Sequence, residues 1–220
     1  MDDADNVRVR VVDDVAQAFA DLVAVESPAS IALSGGDTAE QCYERLARAS
    51  VEWRGVSVLF GDERWVPVDD PESNEGMARR VLLDAVRPRA IHSMRGAGDT
   101  PEAAASAYDA LVRDIGPVAF VHLGLGPDAH TASLFPGSRA LEERERLVVT
   151  NGDDQHPHLR LTFTFRAIAM ANLVVFTVTG EDKREAFARV RAGDDVPATR
   201  VTAERVVWLV DPAAAGEPAA

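Results

Sequence analysis

Of the 23 basic residues in this 220-residue chain only Lys183 is a lysine; all the others are arginines. Cysteine is as scarce. Cys42 stands alone, which excludes an intrachain disulfide framework and any Cys-based metal site. It falls in a helical pattern and reads as a small buried hydrophobe rather than a nucleophile. Positive charge of any kind is in deficit: 36 acidic residues leave a formal net charge of −13 and a pI near 4.8. That balance opposes a nucleic-acid backbone or an anionic membrane surface as partner. No hydrophobic run approaches the length of a membrane span. Residues 1–6, Met-Asp-Asp-Ala-Asp-Asn, lack the basic-then-apolar layout of a secretion signal. The expectation is a cytoplasmic protein that engages neither nucleic acid nor membrane. No Pro/Gly/Ser-rich linker interrupts the interior, so a single domain is expected over residues 1–210, with a Pro/Ala/Gly-rich tail, 211–220, expected to fray.

What is present alternates. Residues 7–12, 30–34, 56–60, 118–123, 146–150, 160–165, 173–179 and 206–210 read as strands. Helical spacing separates many of them. One helix, capped by Asp13, carries Val15, Phe19, Leu22 and Val23, and another follows Gly35-Gly36 with Cys42, Tyr43, Leu46 and Ala47 on one face. Residues 74–86 read as helix, Pro101 starts a helix running to about Arg113, and Gly180-Glu-Asp-Lys183 opens the last. Arg160, Thr162 and Thr164 alternate with Leu161, Phe163 and Phe165, the period of a strand with unlike faces. The fold class that follows is α/β, a mostly parallel Rossmann-like sheet flanked by helices on both faces.

Chemistry concentrates where strands end. The apolar strand at 118–123 runs into Gly124-Leu-Gly-Pro-Asp-Ala-His-Thr-Ala-Ser-Leu-Phe-Pro-Gly137, which raises Asp128 and His130 two residues apart on a glycine turn. In open α/β sheets ligands bind at the carboxyl ends of strands. An imidazole with an ordinary pKa of about 6.5 suits proton transfer near neutrality, and Asp128 is close enough in sequence to orient it. His92, His122, His156 and His158 lack such a turn and read as structural. Ser34-Gly-Gly-Asp-Thr38 sits between a strand and a helix; it reads equally as a backbone cradle for a phosphate or carboxylate and as an ordinary turn capped by Asp37 or Thr38. Phe60-Gly-Asp-Glu-Arg64 ends another strand. A chain this acidic needs a local positive cluster to capture an anion, and Arg64, Arg160 and Lys183 are the candidates. The compact ammonium kept at 183 is not interchangeable with a guanidinium.

Together these segments, from about Ile31 to Leu209, resemble the 6-phosphogluconolactonase family, within the wider superfamily of sugar-phosphate isomerases and deaminases. The resemblance rests on Ser34-Gly-Gly-x-Thr38, Asp62-Glu-Arg64 with Val66-Pro67, Ser73-Asn74, Gly124-x-Gly-x-Asp-x-His-x-Ala-Ser-Leu-Phe-Pro136, Arg160-x-Thr162, Gly180-x-x-Lys183 and Pro197-Ala198. It implies hydrolysis of 6-phospho-D-glucono-1,5-lactone with no cofactor and no metal. His130 would be the general base supported by Asp128, with Asp62 in the catalytic set; Gly35, Gly36, Thr38, Arg64, Arg160 and Lys183 would hold the substrate, mainly its phosphate. The oligomeric state stays open, a monomer being one option. Three positions depart from the family pattern: Asp37 puts a carboxylate near the cradle, Ala39 replaces a proline, and Ala129 replaces a glycine where positive φ strains an alanine.

Other readings compete. A deaminase or isomerase of the same superfamily would share the glycine turn, Asp62 and the Asp128/His130 pair. Deaminases of that kind carry an Asn-Glu-Pro-type sequence after the histidine, where this chain has Ser133-Leu-Phe-Pro136. A sugar-phosphate sensor would need an output module, and no helix-turn-helix or basic extension is visible. A metal site from Asp62, Asp128 and His130 matches no dedicated ligand spacing. Ser133 has no evident partner base and is expected to cap or pack.

Overall fold

The computed structural model describes residues 6–152 and 156–217. Its strands are β1 (Val7–Val11), β2 (Ser30–Leu33), β3 (Ser57–Phe60), β4 (Asp62–Arg64), β5 (Ala90–Ile91), β6 (Phe120–Gly124), β7 (Val148–Asn151), β8 (Arg160–Phe163), β9 (Leu173–Val178) and β10 (Arg205–Val210). Its helices are α1 (Val15–Glu26), α2 (Asp37–Leu46), α3 (Asn74–Ala78), α4 (Asp84–Val86), α5 (Pro101–Ile115), α6 (Phe165–Ala169), α7 (Arg184–Ala192) and α8 (Pro212–Ala215). Seven strands form one sheet in the order β1-β10-β9-β6-β2-β3-β5, every neighbouring pair parallel. The central strands β2, β6 and β9 are almost wholly buried, which is why they read as continuous apolar runs instead of alternating ones.

Helices cover both faces. On one, Phe19 of α1 packs edge-on against Phe120 of β6 at 5.7 Å and beside the His122 ring at 4.3 Å. Phe176 of β9 pairs in register with Leu123, the next residue along β6, and so projects to the opposite face. There it stacks on Trp208 of β10 at 3.8 Å, under Phe187 of α7. Burying a large side chain of this kind contributes about 1.5–3 kcal/mol.

Several local expectations are corrected. Asp14, not Asp13, caps α1 by accepting from the Gln17 amide. The helix expected over 74–86 is one helical run whose middle turn, Arg79–Leu83, widens to π spacing between α3 and α4. The strand at 160 stops at Phe163, with all four residues buried, because Thr164 turns to cap α6 through the Ala167 amide. Asp62-Glu-Arg64 is itself a strand, in a second, antiparallel sheet ordered β4-β8-β7. Asp211 caps α8 and also accepts from the Gly180 amide; residues 218–220 lie outside those described.

Parallel alignment has one consequence for function. The carboxyl ends of the neighbouring strands β9, β6 and β2 all open at one edge of the sheet, bringing the loops after residues 33, 124 and 178 together.

Candidate active site

At that edge two adjoining cavities, about 360 and 220 Å³, form one cleft, and Gly35, Gly36, Gly124, Leu125 and Lys183 line both. Asp62, Arg64, Asn74 and His130 belong to the smaller cavity, and Thr38, Thr177 and Thr179 to the larger. A mainly apolar cavity of about 510 Å³ beside β1 and α7 carries no imidazole and no cation, only the carboxylates Asp194 and Asp195. Of these cavities the cleft is the one lined by an imidazole and by cations.

His130 is held from one side. Asp128 Oδ1 lies 2.6 Å from His130 Nδ1 and also accepts from the His130 backbone amide at 3.1 Å. Burial pushes the Asp128 carboxyl up, but the hydrogen bond and charge of His130 outweigh it and hold the carboxyl at about 2. An ionised Asp128 assigns the proton to Nδ1 and leaves Nε2 as the basic nitrogen of a ring that lines the cleft. The turn allows this because Gly126 has no side chain: a Cβ there would stand 2.2 Å from His130 Nδ1 and Cε1. The Gly126 amide donates to the His130 carbonyl, closing the loop. Ala129 takes φ +66°, the strained conformation expected from its departure from glycine, and Ala132 takes φ +47°.

The cradle is open. Gly36 begins α2 at φ +93°, and no side chain caps the helix, neither Asp37 nor Thr38. Thr38 Oγ1 pairs instead with Thr179 Oγ1 at 2.6 Å, tying the first turn of α2 to the exit of β9. The amides of a helix N-terminus left in this way favour an anion. Lys183 stands in the turn that precedes α7, 3.2 Å from Asp182 and lining both cavities.

Sequence reasoning missed how Asp62 is held. Strand alternation in β4 puts Asp62 and Arg64 on one side and Glu63 on the other. Glu63 turns inward and accepts from the amides of Arg64, Asn74 and Glu75 and from Ser73 Oγ, fixing the start of α3. Burial pushes its carboxyl up, and those four donors oppose the shift. Asn74, so placed, donates to the Asp62 carbonyl at 3.0 Å and to Oδ1 at 3.3 Å. The same carboxamide fills the space over Gly35, where a Cβ would come within 1.8 Å of it. Ser133 Oγ donates to Asp62 Oδ2 at 2.7 Å, so Ser133, expected to lack a partner base, has the Asp62 carboxylate as its acceptor. Both oxygens of Asp62 accept from within the protein, and Asp62 is not paired with His130. Among the described residues no three His, Cys, Asp or Glu side chains form a metal-binding group.

The arginines divide. Arg64 lines the cleft and donates to the Glu72 carbonyl. Arg160 pairs with it in register across β4 and β8 but is 6% exposed and does not line the cleft. Burial and the nearby Arg64 charge lower its pKa, and the Nε atoms of both arginines lack protein partners. His156, read as structural, stacks on Phe135 at 3.9 Å and meets the His130 ring edge-on at 5.6 Å. Cys42 is buried, which pushes its thiol up to about 12, as befits a packing residue.

A parallel α/β sheet with an open helix N-terminus, a lysine and a carboxylate-oriented imidazole at one edge has the parts of an enzyme that acts on an anion. Residues 2–208 match the family described as glucosamine-6-phosphate isomerases/6-phosphogluconolactonase, and this chain belongs to that family. A 6-phosphogluconolactonase from Nostoc sp. is 40% identical over 203 residues, 86% of this chain and 84% of the relative. One from Synechocystis sp. is 40% identical over 204 residues, with the same shares covered. The crystal structure of 6-phosphogluconolactonase from Thermotoga maritima superposes with a TM-score of 0.82 at 25% identity, covering 93% of this chain and 99% of that one. A monomeric glucosamine-6-phosphate deaminase, 21% identical, shares the fold with a TM-score of 0.82 over 95% of this chain and 99% of its own.

Proposed function

We propose that this chain hydrolyses 6-phospho-D-glucono-1,5-lactone to 6-phospho-D-gluconate, the lactone-opening step of the oxidative pentose phosphate pathway. The observation that carries the reading is the Asp128–His130 pair, its oxygen and nitrogen 2.6 Å apart, on the wall of a cleft shared with the Gly35-Gly36 turn and Lys183. The lactonases related to this chain and its Ser133-Leu-Phe-Pro136 sequence support the lactone over an amino sugar.

The phosphate sits at the Gly35–Thr38 turn with Lys183 and Arg64 about it; Arg160, behind Arg64, adds positive potential. Anchoring the phosphate converts remote binding energy into orientation of the lactone carbonyl. His130 Nε2 takes a proton from water as its oxygen bonds to the carbonyl carbon. Backbone amides of the Gly124–His130 turn or a neighbouring cation receive the oxyanion. The tetrahedral intermediate then expels the ring oxygen, which takes the proton back from the imidazolium. Asp128 stays ionised throughout. Asp62, whose oxygens accept from Asn74 and Ser133, orients the site. No covalent enzyme intermediate, cofactor or metal is required. The enzyme acts in the cytoplasm on a soluble small molecule, and no helix among the described residues is long and apolar enough to cross a membrane.

The test is a coupled assay on freshly generated lactone, with spontaneous hydrolysis subtracted and glucosamine 6-phosphate run beside it. Turnover of the lactone and a fall of roughly 10²–10⁴-fold in kcat/KM for His130→Ala are expected. Unchanged kcat/KM in that variant, or turnover of the amino sugar alone, overturns the reading.

A further inference from the structure

In the middle of β6, flanked by Val121 and Leu123, stands a histidine. His122 is wholly buried, as is Tyr43 of α2. The Tyr43 hydroxyl lies 2.8 Å from His122 Nδ1, and the opposite ring nitrogen, Nε2, lies 2.8 Å from Thr177 Oγ1 of β9. The Ser34 amide donates to Tyr43 Oη at 2.7 Å, and the Ser34 carbonyl is 3.1 Å from the same oxygen. Burial drives the His122 pKa down to about 3, so the ring is neutral in the working range, with one donor and one acceptor nitrogen. Tyr43 has a single proton to place. Given to the Ser34 carbonyl, it lets His122 Nδ1–H donate to Tyr43 Oη and Thr177 Oγ1 donate to Nε2, so that each group of the network has a partner; given to His122 Nδ1, it puts the imidazole proton on Nε2 and leaves the Ser34 carbonyl without Tyr43 as donor.

Such a network is costly to bury and is satisfied only as a whole. An aliphatic side chain at 122 would fill the space without that cost, so shape alone does not account for an imidazole there. What the network joins is the cleft. Ser34 enters the glycine turn and lines the smaller cavity, while Thr177 lines the larger, two residues before Thr179, which holds Thr38. Tyr43 rides on the helix whose N-terminus forms the cradle. The chain thus crosses β2, β6 and β9 beneath their carboxyl ends, from the cradle to the wall that leads to Lys183.

We propose that His122 is a positioning residue: through Tyr43 and Thr177 it sets the orientation in which the Ser34–Gly36 turn and the start of α2 receive the substrate's phosphate. It touches no substrate atom. The inference rests on the proposed lactonase reading, in which the cradle holds that phosphate.

Tyr43→Phe, His122→Leu, the double variant and His122→Asn are compared with the parent chain for KM and kcat on the phospholactone. Binding of inorganic phosphate is followed by calorimetry, and melting checks the fold. Tyr43→Phe and His122→Leu are expected to raise KM and weaken phosphate binding by roughly tenfold, with kcat changed far less. The double variant should be no worse than the poorer single one, because both break the same chain. His122→Asn, whose amide can pair with Tyr43, should recover part of the loss. A common loss of kcat at unchanged KM would mean a smaller folded fraction, and it overturns the proposal, as does phosphate binding equal to the parent's. Failure of the lactonase reading shows separately, as absence of phospholactone turnover by the parent chain.

Discussion

Gly126 and His130 occupy one space: a Cβ on Gly126 would stand 2.2 Å from His130 Nδ1. The glycine exists for the imidazole as much as for the turn. Gly126→Ala must push the ring away from Asp128, and an ångström-scale displacement costs about 10²-fold in rate. The expected result is a fall of about that size in kcat, with KM for the phospholactone within a few-fold. Wild-type kcat in a folded Gly126→Ala protein would show that the ring is not held where the reaction needs it.

Asp128→Asn replaces an acceptor-only carboxylate by an amide that no longer dictates the Nδ1–H tautomer. A loss of roughly 10²–10⁴-fold in kcat/KM is expected. Because the folded carboxyl lies at about 2, below its ordinary 3.8, it stays ionised as pH falls until well under 4. Asp128 therefore adds no ionisation to the pH–rate profile above about pH 3. A second protonation in kcat/KM between about pH 3 and 5 that disappears in Asp128→Asn counts against this assignment.

Lys183→Ala removes a charged anchor from the cleft. If the contact is equally strong in ground and transition states, KM rises about 10–100-fold and kcat barely moves. Lys183→Arg should restore only part of the affinity, since a planar fork does not replace a compact ammonium. A large fall in kcat at constant KM would assign the lysine to the chemical step instead.

Buried, neutral His122 makes a stability prediction of definite sign. Its folded pKa of about 3 lies below the ordinary 6.5, so between those values the unfolded chain binds a proton that the folded one refuses. Stability falls as pH drops through that window. The contribution of this one group between about pH 7.5 and 5 is about 2 kcal/mol. Urea unfolding of His122→Leu should show a pH dependence shallower by about that amount; parallel curves for the two proteins would contradict it.

Much was legible in the order of residues. Asp128 and His130 sit two apart on one turn, so their pairing needs no other part of the chain. The parallel sheet followed from strand–helix alternation, and the strained φ at Ala129 from the place where glycine is usual. Short pieces were harder. The Asp62–Arg64 strand has three residues, too few for a period to show, and forms because Thr162, Leu161 and Arg160 lie opposite it. The stop at Phe163 depends on Thr164 choosing a helix cap over the ladder, a local competition that alternation does not register.

What the sequence alone determined was local: the apolar period, the glycines that permit positive φ, and an acid set beside an imidazole within one loop. Tertiary structure decided everything that joins distant segments. Ser133 reaches Asp62 across 71 positions, and Thr38 reaches Thr179 across 141. Arg160 turns in beside Arg64 in place of facing the cleft, and His122 becomes a link between strands where it read as an ordinary structural histidine. The reason is that hydrogen-bond partners and burial depend on which strands are neighbours, and the β9-β6-β2 adjacency brings together stretches of chain far apart in order.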